Sequence, residues 1–104
     1  MKYFISGAIT KHISTPKGRE EVTDKFMGAE FDLLTSQIAT EVFNPIRIVD
    51  EYGWEQDWRF YMNICLKILL ESDGVMMLKG WEDSRGARIE HGIAKELELN
   101  IIYE

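Results

Sequence analysis

The chain has 104 residues, 45% of them apolar, and a formal charge of −6 from 12 Lys and Arg against 18 Asp and Glu. That length supports one domain with a modest core, and the acidic balance argues against general nucleic-acid binding, because no basic stripe stands ready to displace counterions from phosphates. The lone cysteine, Cys65, excludes a disulfide framework or a cysteine metal cluster within the chain, and no apolar run reaches membrane-spanning length.

Met1-Lys2 leads straight into a short apolar stretch and not into the long apolar core of a signal peptide. A cytoplasmic protein with no membrane or nucleic-acid partner is expected. Lys2 to Ser6 is β-prone and reads as the first strand, ended by Gly7, whose missing side chain permits close approach of a ligand. Ala8 to Gly18 reads as a polar loop, with Thr10, His12, Ser14, Thr15 and Pro16, able to close over a ligand. Arg19 to Ser36 is predicted to be a helix with Val22, Phe26, Ala29 and Leu33 as its buried stripe. Thr40 to Phe43 is a short second strand stopped by Asn44-Pro45, and Ile46 to Gly53 is expected to be a connecting loop. Asp57 to Ser72 is the second predicted helix, with Trp58, Tyr61, Met62, Cys65 and Leu69 inward. Gly74 to Leu78 is the third strand, the segment from Ser84 to about Leu97 the third helix, and Asn100 to Tyr103 the last strand.

Strands that alternate with helical connectors predict a parallel sheet with helices on both faces, of order 2-1-3-4. Ligands of such α/β folds bind beyond the carboxyl ends of the strands at the switch point, here between the first and third strands. Gly7 and the run Gly80-Trp81-Glu82-Asp83-Ser84-Arg85-Gly86-Ala87-Arg88-Ile89-Glu90 both fall at that edge. Ser84 is a good N-cap, Gly86 opens the first turn to another molecule, and a helix N-terminus attracts anions through its free N–H groups. Ile89, Ile93 and Leu97 recur every four residues as one apolar face. Glu90 lies on the second turn, near the crevice, and Asp83 stands just before the helix; carboxylates there suit nucleophilic or acid/base chemistry. Arg85 and Arg88 are candidate phosphate ligands, and Trp54, Trp58 and Trp81 can stack on a base or fill the core. His12 and His91, the only histidines, share no metal-ligand spacing, so no metal is expected.

At these residues the chain resembles the nucleoside 2-deoxyribosyltransferase-like superfamily, and most closely its short phage and bacterial members. The resemblance spans nearly the whole chain: Tyr3-Phe4-Ile5-Ser6-Gly7, Asn44-Pro45, Ser72-Asp73-Gly74 and, most specifically, Gly80 to Ala94. It implies a Rossmann-like fold and a helix Glu that attacks the anomeric carbon of a deoxyribonucleoside or its 5′-monophosphate, displacing the base and passing the sugar to another base or to water. Glu90 matches the nucleophile. Asp83 stands beside the position of a proton-handling acid, and Ser84 matches the phosphate-binding serine of the nucleotide N-glycosidase branch. Gly7, Gly86, Arg88, Asn44 and Trp58 complete the expected substrate site. No cofactor is implied, and a homodimer or larger assembly is. Three positions depart from the pattern. Phe4 stands where relatives carry a Tyr that orients the nucleophile, no carboxylate stands near Ile64 or Cys65 where relatives carry an Asp, and the loop after Gly7 lacks a second Gly. The competing readings are a nucleotide-sequestering module with little or no turnover and a purely structural or partner-binding protein.

Overall fold

The computed structural model describes residues 1–9 and 14–104. Strands β1 (Lys2–Ser6), β2 (Glu41–Phe43), β3 (Gly74–Met77) and β4 (Asn100–Tyr103) form a single parallel sheet of order β2-β1-β3-β4. Helix α1 (Pro16–Thr35) crosses from β1 to β2, α2 (Ile46–Tyr52) and α3 (Trp58–Leu70) lead from β2 to β3, and α4 (Arg85–Glu96) joins β3 to β4. This is the three-layer α/β arrangement that the alternation of elements predicts.

The register pairs Phe4 with Phe43 on one side and with Val75 on the other, and places Ser6 beside Met77. Strand alternation then sorts β1 between two cores. Tyr3 and Ile5 pack with Val22, Phe26, Ala29 and Leu33 of α1. Phe4 packs on the opposite face with Cys65, Leu69, Val75, Met77, Ala87 and Ala94. Ser6 shares Phe4's face, two residues further along, and points toward α4.

The helix starts follow from side-chain chemistry. Thr15 Oγ1 accepts from Gly18 N at 3.0 Å and Pro16 occupies the first turn, so α1 begins before Arg19. Ser84 Oγ accepts from Ala87 N at 3.2 Å and starts α4 as expected.

Two expectations are corrected. Ile46 to Gly53 is not a loop: Ile46–Tyr52 is helical, with Ile46, Ile48 and Val49 buried. Pro45, at φ −59°, is set for a helix start, and Asn44 Oδ1 accepts from Ile46 N at 3.1 Å; the pair that stops β2 also launches α2. The buried stripe of α4 is Gly86, Ala87, Glu90 and Ala94, while Ile89 and Leu97 are exposed and Ile93 is half-buried. Small residues let this helix settle close to the sheet, and that closeness outweighs the burial of its larger side chains. The polar loop expected from Ala8 to Gly18 lies partly outside the described residues, Thr10 and His12 included.

Glycines separate into those that packing demands and those it does not. A Cβ on Gly74 would come 2.4 Å from Tyr3 Cε2 and 3.0 Å from the Asn100 carbonyl oxygen, whereas one on Gly28, exposed within α1, would meet nothing within 4 Å. Gly74→Ala is therefore expected to lower stability in urea denaturation by about 1–3 kcal/mol, the usual cost of overpacking. Gly28→Ala is expected to raise it by about 0.4–1 kcal/mol, because the helical backbone loses unfolded-state entropy without strain.

Candidate active site

Glu90 is 5% exposed, on the second turn of α4, with its side chain directed at the carboxyl end of β1. Ser6 Oγ donates to Glu90 Oε1 at 2.6 Å, a buried bond that joins the last residue of the first strand to the last helix. Burial pushes the Glu90 carboxyl up from 4.5 to about 7, and the Ser6 hydrogen bond pulls the other way without matching it. Arg88, a candidate phosphate ligand by its place in the sequence, does not offset this. Arg88 is exposed and donates through Nη1 to the Glu82 carbonyl oxygen at 2.7 Å.

Glu90 closes one end of a cavity of about 70 Å³. Its walls come from the loop after β1 (Gly7, Ile9), from α2 and the loop after it (Ile48, Val49, Trp54), from α3 (Trp58, Tyr61, Met62, Cys65) and from the start of α4 (Ser84, Gly86, Ala87). The lining is thus almost wholly apolar around one carboxyl group. Arg19 lies 5.6 Å from the centroid of Trp54, and Arg85 lies 4.4 Å from that of Trp58, so each indole carries a guanidinium on its face. The Tyr61 hydroxyl donates to the Gly53 carbonyl oxygen and accepts from Gln56 N, which ties the segment bearing Trp54 to α3. Burial, and secondarily the charge of Glu90, push the Cys65 thiol up, so it stays protonated at neutral pH.

The expected site residues divide. Gly7, Trp58, Ser84, Gly86 and Glu90 come together at the cavity. Gly86 has a packing reason of its own: a Cβ there would stand 2.9 Å from Met62 Sδ and 3.5 Å from Trp58 Nε1. Asp83 is exposed and lines a separate polar recess with Glu21, Lys25 and Lys79. Asn44 is fully buried, its Nδ2 donating to the Phe26 carbonyl oxygen at 3.1 Å while its Oδ1 holds the start of α2; it shapes the wall through its neighbour Pro45. Arg88 braces the turn before α4. Of the tryptophans, Trp54 and Trp58 reach the cavity, while the Trp81 ring sits 4.2 Å from that of His91, whose Nε2 is 2.7 Å from the Tyr103 hydroxyl.

Ser6 is the residue that sequence reasoning passed over. The signal was present, since alternation places Ser6 on the face of Phe4, and the last polar side chain of a strand before a glycine points into the crevice.

The raised Glu90 carboxyl makes stability depend on pH. Its folded value lies above its unfolded one, so the folded state binds the extra proton between roughly pH 4.5 and 7 and loses stability as pH rises through that window, on the order of 3 kcal/mol in all. Glu90→Gln keeps an acceptor for Ser6 and removes the charge. It is expected to melt well above the parent at pH 8 and close to it at pH 4, as thermal scans at the two pH values would show.

No helix among the described residues is long and apolar enough to cross a membrane. No curated protein and no solved structure matches the chain. A family model matches residues 1–103, and the chain belongs to that family, described as a domain of unknown function (DUF4406).

Proposed function

We propose that the cavity binds a nucleoside or nucleoside 5′-monophosphate and that Glu90 acts on its N-glycosidic bond, by hydrolysis or by transfer of the deoxyribosyl group. The observation that carries this reading is the buried Glu90 carboxyl, held by Ser6 at the foot of an apolar cavity beside the carboxyl ends of β1 and β3. The resemblance to the deoxyribosyltransferase-like superfamily at Gly80 to Ala94 agrees with it. Ser6 then takes the orienting part that a tyrosine plays in that superfamily, from the same face of the same strand. The cavity has room for several water molecules and not for a whole nucleoside. The sugar enters it, and the base lies toward Trp54 and Trp58 with some displacement of those walls. The 5′-phosphate of a nucleotide is met by Ser84, the first-turn N–H groups of α4 and Arg85.

In the covalent step a Glu90 oxygen bonds to the anomeric carbon as the C–N bond breaks and its electron pair leaves with the base; water or a second base then displaces Glu90. Attack requires the ionised carboxylate, which a value of about 7 leaves within reach at neutral pH.

One observation favours a second reading, a nucleotide-binding module with little turnover. Asp83 faces another recess, so among the described residues Glu90 is the one carboxylate on the cavity wall. A retaining reaction ordinarily uses a second group for the proton.

The test is to incubate the protein with deoxynucleosides and their 5′-monophosphates and follow free base by chromatography. Base release is expected, with a rate that rises with pH through about 7, and Glu90→Ala is expected to reduce it at least about a hundredfold. Ser6→Ala removes the bond that favours the ionised form, so its profile should shift to higher pH. Release that survives in Glu90→Ala removes Glu90 from the chemistry, and binding without release by the parent leaves the sequestering module. In calorimetry, the 5′-monophosphate is expected to bind more tightly than the nucleoside; equal affinities would remove the phosphate contacts at Ser84.

A further inference from the structure

At about 70 Å³ the cavity holds a few water molecules, so a ring-sized ligand enters only if a wall gives way. Most of the walls are built into the two cores. Cys65 of α3 and Ala87 of α4 pack with Phe4, Val75 and Met77 of the sheet, and Ile48 and Val49 of α2 are buried as well. The wall at Gly7 is tight, since a Cβ there would stand 3.1 Å from Leu78 Cβ and 3.2 Å from Phe26 Cζ. Residues 53–57, which carry Trp54 between α2 and α3, are held differently. Gly53 and Trp54 are half-buried, and Glu55, Gln56 and Asp57 are exposed. An exposed non-helical segment is the kind of element that opens locally while the rest of the chain stays folded.

The segment is built as a hinged flap. Its ends are fixed, because the Tyr52 ring at the end of α2 meets the Phe60 ring of α3 edge-on, with centroids 5.0 Å apart. Its first residue, Gly53, has φ 84° and ψ 177°, a conformation that residues with a side chain rarely adopt, and glycine can leave it without penalty. Its middle is held by one side chain of α3. The Tyr61 hydroxyl donates to the Gly53 carbonyl oxygen and accepts from Gln56 N at 3.1 Å, so the same group spans Trp54 and Glu55. Gln56 Nε2 adds a bond to the Tyr52 carbonyl oxygen at 3.3 Å, and the Arg19 guanidinium lies 5.6 Å from the Trp54 ring centroid.

We infer that residues 53–57 form a gate over the cavity, with Gly53 as its hinge and the Tyr61 hydroxyl as its latch. When the Tyr61 bonds release, Trp54 swings off the cavity, and the freed hydroxyl and backbone groups find water in the open form. The opening therefore leaves no buried polar group unpaired. Such a gate serves any ligand of the cavity, whatever chemistry Glu90 performs.

Cys65, the only cysteine of the chain, lines the cavity and reports the opening. The full chain is treated with methyl methanethiosulfonate, without any nucleotide, at urea concentrations below the unfolding transition, and thiol modification is followed by mass spectrometry. Labelling of the parent is expected to be slow and indifferent to low urea, as an opening that exposes little surface requires. Tyr61→Phe keeps the ring and removes the latch. It is expected to label about tenfold faster, the scale of a lost hydrogen bond, and still without dependence on urea. Gly53→Ala, which strains the closed form, is expected to speed labelling too. Gly74→Ala, at the far end of β3 from the cavity, is expected to label at the parent's rate in the absence of urea. Equal rates in Tyr61→Phe and the parent would place the opening at another wall and overturn the gate. So would labelling that rises with urea as steeply as unfolding itself, or that Gly74→Ala accelerates as much as Tyr61→Phe does.

Discussion

The structure turns on the burial of one carboxyl group. Glu90 is enclosed between the sheet and α3 with Ser6 as its hydrogen-bond partner among the described residues. Burying a carboxylate is costly, and the molecule meets that cost by raising the proton affinity of the group. The arrangement depends on the residues around it. Ala87 and Ala94 pack with Phe4, Val75 and Met77 and keep α4 close to the sheet, while Gly86 makes room for Met62 and Trp58 of α3. A larger residue at Ala87 or Ala94 would press on the sheet beneath α4 and strain the Ser6–Glu90 pair.

The cavity is made by convergence, not by a single motif. The β1 end contributes Ser6 and Gly7, α2 and the segment after it contribute Val49 and Trp54, and α3 contributes Trp58, Tyr61 and Cys65. The Tyr61 hydroxyl secures the backbone on either side of the Trp54 segment, and Arg19 and Arg85 lie against the two indoles. Aromatic walls, a guanidinium on each and one titrating carboxyl at the base suit a ligand with a flat ring, an apolar middle and an anionic end.

The same economy of elements shapes the outside. Three crossovers cannot cover both faces of a four-stranded sheet evenly when two of them run to one side. The chain buries Val75 and Met77 under α3 and α4 and leaves Met76 and Ile102 only half-covered. The catalytic candidate and the apolar face thus lie on opposite sides of one sheet, each a consequence of the order 2-1-3-4.

Much of this was legible in the chain itself. Alternating strand and helix patterns are local signals, and they determined the parallel sheet, its order, and the meeting of Gly7, Ser84 and Glu90 at one edge. The cap at Ser84 and the opposite orientations of Tyr3 and Phe4 follow from hydroxyl chemistry and from the two-residue period of a strand. What the tertiary structure decided is where short-range patterns carry no information. The α4 face that packs inward is the one with small residues, because helix-to-sheet distance depends on what lies across the gap and not on the apolar period of Ile89, Ile93 and Leu97. Ile46 to Tyr52 is helical because three of its side chains find a buried surface. Asp83 and Asn44 neighbour cavity-lining residues in sequence but face elsewhere, since a turn of one residue redirects a side chain completely. The proton affinity of Glu90 was beyond the sequence for the same reason: it depends on how deeply the group is buried, which only the packed chain decides.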